Sequence, residues 1–232
     1  MTVQKKILFI LLLTLSALAP LMAQRQALKN MPYIDQRRFH YGFLLGMDFC
    51  DVTFMHSGVN GWRAEGTAVN PCFCVGLMGD AALTENLNIR TTPMLRFQSR
   101  EITFRNDSTG QMLGQTLKSN YLSLPLSLKV ATHRLNNYRP YLLLGGQIDI
   151  DVTHENDQPM AFKHVDLGLH VAIGCDGYLP YFKFCPEVRF NLGLLDMLDR
   201  KRKDLKGEPL PPQTQAISRA RNKSISVLFF FE

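Results

Sequence analysis

From Val165 to Cys175 the chain alternates strictly. Val165, Leu167, Leu169, Val171, Ile173 and Cys175 take the odd positions, and Asp166, Gly168, His170, Ala172 and Gly174 the even ones. Successive side chains of a β-strand point to opposite faces, so this stretch predicts one apolar and one polar or small face. The apolar face is about as long as the roughly 9–11 residues that a tilted strand needs to cross a bilayer.

The same two-residue rhythm predicts eight strands in all. Phe39, Tyr41, Phe43, Leu45, Met47 and Phe49 form the outward face of the first, with His40, Gly42, Gly46 and Asp48 behind them. Phe73, Val75 and Leu77 oppose Cys72, Cys74, Gly76 and Asp80 in the second. In the third, Leu87, Ile89, Pro93, Leu95 and Phe97 oppose Asn88, Arg90, Thr92, Arg96 and Gln98. The fourth sets Leu122, Leu124, Leu126, Leu128 and Val130 against Tyr121, Ser123, Ser127 and Lys129. The fifth sets Leu142, Leu144, Ile148 and Ile150 against Gln147, Asp149 and Asp151. The stretch from Val165 is the sixth. The seventh carries Phe182, Phe184, Val188, Phe190 and Leu192 against Lys183, Glu187, Arg189 and Asn191, and the eighth ends the chain with Ile225, Val227, Phe229 and Phe231 outward.

Alternation alone also suits a soluble sandwich, and the connections separate the two. Tight turns at Glu85-Asn86, Asn136-Asn137 and Leu179-Pro180 alternate with long connections at Val52–Pro71, Phe104–Thr116, Val152–Phe162 and Leu194–Arg221. Short turns on one side and long loops on the other are the habit of outer-membrane barrels, with the short turns periplasmic. The expected fold is therefore an all-β, eight-stranded antiparallel transmembrane β-barrel over residues 38–232, with both termini in the periplasm. Tyr41, Tyr138, Tyr141, Tyr178, Tyr181 and Phe182 fall at the short-turn ends, where an aromatic belt is expected.

The first residues support that compartment. Lys5 and Lys6, the apolar run Ile7–Leu18 and the exit Leu21-Met22-Ala23 read as a signal peptide over 1–23, leaving a periplasmic segment over 24–37. Removing it lowers the net charge from +6 to +4, since those two lysines are the only charges in the first 23 residues. That mild surplus argues against nucleic acid.

Charges on the inward faces are the first candidate site. An eight-stranded barrel has an interior that side chains fill, so opposite charges there should pair and plug it. Asp149, Asp166, Glu187 and Arg189, from three consecutive strands, are expected to form a network centred on the planar fork of Arg189. The five cysteines are an odd count in an oxidising compartment. Cys50 and Cys72 could bridge across the first hairpin, or remain buried thiols. Cys72-x-Cys74 lacks the companion ligands of a zinc motif, so no metal and no cofactor is expected.

Catalysis would need a nucleophile, a base and an orienting acid together. His56-Ser57 and His154-Glu155 supply the residue types in separate loops, with nothing to join them, so no enzyme and no small-molecule substrate is inferred. The run Asp199–Lys206 is either a solvated loop or a basic surface for lipopolysaccharide or a neighbouring subunit.

Four segments carry a family resemblance: Tyr33–Phe43 (Tyr-Ile-Asp-Gln-Arg-Arg-Phe-His-Tyr-Gly-Phe), Asn136–Tyr141 leading to Gly145-Gly146, Tyr178–Phe184 leading to Pro186–Phe190, and the Phe-Glu chain end. Together they resemble the PorT/SprT family of Bacteroidetes outer-membrane barrels. The resemblance implies a non-enzymatic subunit or assembly factor of the type IX secretion system, which exports cargo and, in gliding species, surface adhesins. Its implied partners are outer-membrane lipid and other secretion subunits. The alternative is a stand-alone barrel that binds an extracellular ligand through its long loops or stabilises the envelope.

Overall fold

The computed structural model describes residues 28–56, 62–66, 70–107, 110–153, 163–198 and 215–232. The signal segment, the Ser57, His154 and Glu155 positions and the basic run Asp199–Lys206 lie outside these residues. Ten strand segments follow in chain order: β1 Phe39–His56, β2 Trp62–Gly66, β3 Asn70–Ala82, β4 Leu87–Thr91, β5 Met94–Asn106, β6 Met112–Ala131, β7 Tyr138–Asp151, β8 Val165–Tyr178, β9 Lys183–Gly193 and β10 Ile217–Phe231. A short 3-10 turn at Ile34–Gln36 precedes them.

The segments close into one antiparallel ring of eight staves. β1 pairs with β10, and pairing then runs through β9, β8 and β7 to β6. β6 pairs with both β4 and β5, which are one stave interrupted at Thr92-Pro93. Pro93 has no N–H to give to a ladder, and a strand tolerates it only at such a break. The register survives the break: Thr91 faces Leu126 on one side of it and Met94 faces Ser123 on the other. β2 and β3 both lie against β5 and make a second broken stave, and β3 returns to β1.

The faces are inverted relative to a water-soluble domain. Leu124, Leu126, Leu128 and Val130 of β6 are exposed, as are Leu142 and Leu144 of β7 and Leu167, Leu169, Val171 and Ile173 of β8. Arg90, Arg96, Lys129, Asp149, Asp176, Glu187 and Arg189 are buried inside. A continuous apolar outer face of this extent suits lipid contact and would aggregate in water.

Strands extend beyond the apolar band at the long-loop end. β6 has 20 residues, which at about 3.3 Å each is on the order of 60 Å, far more than the apolar band of about 25 Å requires. The connection expected over Phe104–Thr116 is therefore mostly ladder, with β5 running to Asn106 and β6 starting at Met112. Likewise β1 continues to His56, and β10 begins at Ile217 within the stretch read as loop. Exposed Asp51, Arg105, Ser218, Arg219, Arg221 and Lys223 mix there with exposed Met55, Met112 and Leu113, so the contrast that marks a strand in lipid fades while the hydrogen bonding continues. The three tight turns stand where the sequence placed them.

Among the described residues, apolar clusters interrupt the polar interior, the smallest of them Ala131, Tyr141, Leu143 and Ala172. Leu44, Cys74, Met78, Met94, Cys185, Leu228 and Phe230 pack in another. Val52, Ile102, Phe104, Leu198, Ile217 and Ala220 pack together at the long-loop end, where Leu198 arrives from the segment after β9.

Candidate functional site

Strand parity aims every inward charge at the same narrow space, and ring closure decides which of them meet. Arg90, fully buried, donates to Asp80 Oδ2 from Nε at 3.0 Å and Nη2 at 2.8 Å. Its Nη1 lies 3.4 Å from Glu187 Oε2 and 3.3 Å from the Tyr141 hydroxyl, which donates to Glu187 at 3.0 Å. Arg189 grips the other Glu187 oxygen from Nε at 3.0 Å and Nη2 at 2.7 Å, and donates to Thr92 Oγ1 at 3.3 Å. Lys129 binds Asp176 at 2.8 Å and stands 3.7 Å from Asp80.

A second set lies toward the long-loop end. Arg96 Nε donates to Asp48 at 2.5 Å, its Nη1 is 3.6 Å from Asp149, and its Nη2 donates to Ser224 Oγ at 3.0 Å. Ser123 and Gln147 donate to Asp149, the latter at 2.7 Å.

The expected four-residue network around Arg189 is thus divided. Arg189 holds Glu187, whereas Asp149 is within reach of Arg96, and Asp166 is buried opposite Asp149 on the β7–β8 ladder. The hub is Arg90, which joins Asp80 to Glu187. Its inward parity was readable in the sequence, and Asp80 faces it directly across the tight β3–β4 hairpin, but Glu187 comes from β9, which only ring closure brings to it. Chemically these groups neutralise one another: the carboxylates carry cations, and the guanidiniums are held in fixed forks.

The aromatic belt is also split. Tyr41, Tyr138, Tyr181 and Phe182 face outward, while Tyr141 and Tyr178 are buried inside. Leu142 is outward, so its neighbour Tyr141 must be inward, and there the ring packs under Arg90 and Lys129 at 5.0 and 4.2 Å. Cys50 and Cys72 are not bridged. The ladder pairs Cys50 with Asn70 and Asp48 with Cys72, leaving the two cysteines diagonal, where Cα atoms stand roughly 7–8 Å apart, beyond disulfide reach.

The short-turn end holds a cluster the sequence reading did not assemble. Tyr178 donates its hydroxyl to Asp35 Oδ1 at 2.5 Å, and Arg134 and Arg139 approach the same carboxylate at 3.5 and 3.6 Å. The Asn30 backbone N–H donates to the Asn137 side chain at 2.9 Å, and the Asn30 amide to the Tyr178 carbonyl at 3.0 Å. At the same rim the Glu232 carboxylate pairs with His40 and, at 2.9 Å, with Lys183. The segment before β1 is thereby fastened across the end of the ring.

The sequence matches the family model described as outer membrane protein beta-barrel domain over residues 22–199. Among solved structures, OprG from Pseudomonas aeruginosa is similar at 14% identity and TM-score 0.45, covering 83% of this chain and 91% of its own. Neisserial surface protein A aligns at 12% identity and TM-score 0.40, covering 82% and 97%. Ail of Yersinia pestis aligns at 8% identity and TM-score 0.37, covering 82% and 96%. No curated protein matches the sequence significantly.

Proposed function

This chain belongs to the outer membrane protein β-barrel domain family, and from that premise we propose that it is a non-enzymatic subunit or assembly factor of a type IX secretion machine. In this reading the short-turn rim faces the periplasm. One observation carries it: the four segments that resemble PorT/SprT barrels, scattered along the sequence, are bonded to one another at that single rim. Asp35 meets Tyr178, the Asn137 carbonyl accepts from the Tyr178 N–H at 2.8 Å, and Glu232 meets both His40 and Lys183. A surface assembled from remote segments is a natural place for a neighbouring subunit, whereas the ion-paired interior serves to hold the ring rigid.

Deletion of the gene in its host tests the reading. Cargo should be made at normal levels and remain in the periplasm. Normal surface display in the deletion strain would remove the secretion role and favour a stand-alone barrel.

A further inference from the structure

The short-turn rim contains a cleft of about 640 Å³ between the segment before β1 and the turns that follow β3 and β6. Four arginines line it, Arg37, Arg38, Arg134 and Arg139, against two carboxylates, Asp35 and Glu85. Resting on the secretion reading above, we propose that this cleft is the docking site for an acidic segment of a periplasmic partner protein.

The positive surplus is fixed in place. Arg134 donates to the carbonyls of Asn30, Met31 and Asn136 and stacks on the Tyr178 ring at 3.6 Å. Arg139 donates to the Thr132 and Glu85 carbonyls. Carbonyls orient a guanidinium without cancelling its charge, and the carboxylate both arginines approach is the shared Asp35. Arg37 and Arg38 are exposed, and among the described residues neither makes an ion pair. Two oriented arginines behind two uncommitted ones recognise carboxylates, since the planar fork matches their geometry.

The location selects the occupant. Arg139 lies opposite inward-facing Asp176 on the β7–β8 ladder, and Arg134 rests on inward-facing Tyr178, so these cations sit at the end of the ring and not on its lipid-facing wall. The chain's own first 34 residues contain no aspartate or glutamate, so that segment cannot supply the complementary charge. The acidic segment is accordingly assigned to another protein.

The test uses the full barrel in zwitterionic detergent and a fluorescein-labelled oligoglutamate peptide, read by anisotropy. The wild type should bind saturably and lose affinity as salt rises. Arg37→Glu with Arg38→Glu should weaken binding roughly tenfold or more, since each reversal changes two charges at close range. The matched reversal Arg105→Glu with Arg219→Glu, at the long-loop end, should leave it unchanged. Heat-modified gel mobility, normal in both variants, shows that the barrels are folded. Equal loss in both variants, or no wild-type binding, overturns the proposal. So does displacement of the peptide by short-chain phosphatidylglycerol at lower concentration than by unlabelled oligoglutamate, which would make the cleft a lipid headgroup site. Peptide binding with normal secretion in the deletion strain would sink the secretion reading alone. Blocked secretion without peptide binding would sink the cleft alone.

Discussion

The Tyr141 ring fills the space that a side chain at Gly174 would need: a Cβ there would lie 2.4 Å from both Cζ and Oη of the tyrosine. Glycine at 174 thus lets the tyrosine lie flat against the wall and aim its hydroxyl at Glu187.

Gly174→Ala is accordingly expected to cost about 1–3 kcal/mol through overpacking, because the ring must leave its hydrogen bond. Gly146→Ala is the control. Its Cβ would meet the Gly168 carbonyl at 3.7 Å, an ordinary contact, so the change should fall within about 0.5 kcal/mol. Urea unfolding of the two variants in detergent measures the difference, and equal costs would refute the packing argument.

Arg90→Met should destabilise the barrel more than Arg189→Met. Removing Arg90 deprives both Asp80 and Glu187 of a buried partner, a loss of about 3–5 kcal/mol, whereas Arg189 leaves a Glu187 that Arg90 and Tyr141 still contact. The midpoint of heat modification on gels ranks them. The reverse order would restore Arg189 as the hub.

Glu232 gives the rim an acid-sensitive fastening. Burial alone would raise the pKa of its carboxyl, but the hydrogen bond with His40 and the charge of Lys183 outweigh burial and hold it below the ordinary 4.5. A carboxylate lowered in the folded state contributes stability that is fully present above the ordinary value and is lost as pH falls through the folded one. Wild-type stability should therefore decline below pH 4.5 more steeply than that of Glu232→Gln. Parallel pH profiles would show that the pair contributes nothing.

Alkylation of the denatured, unreduced protein should label all five cysteines, as the structure joins none of them. Mass spectrometry that finds Cys50 linked to Cys72 would mean that the β1–β3 register shifts in the mature barrel.

Planar-bilayer recordings should show no steady open level. Arg90, Lys129, Arg189 and their acids span the interior, and the apolar layers around Leu44 and Val52 offer ions no polar path. A stable conductance removed by none of these pairs' mutation would mean that the interior is wider than its contacts imply.

The alternation of apolar and polar residues by itself determined the eight staves, their inward and outward faces and the three tight turns, because a strand's facing is a local property with a period of two. It even placed Arg90 and Arg96 on the inner wall, though it assigned the inward-facing Tyr141 and Tyr178 to the aromatic belt. Apart from Arg90 and Asp80, which face each other across the tight β3–β4 hairpin, the pairing of the inward charges was decided by tertiary structure. Arg96 meets an Asp48 that lies 48 residues away, and Arg90 meets a Glu187 that lies 97 away. Such partners depend on register, stagger and ring closure, which no single strand encodes. The same holds at the rim, where Asp35 and Tyr178 are separated by 143 residues: only closure of the ring, with the segment before β1 laid across its end, brings them within one hydrogen bond.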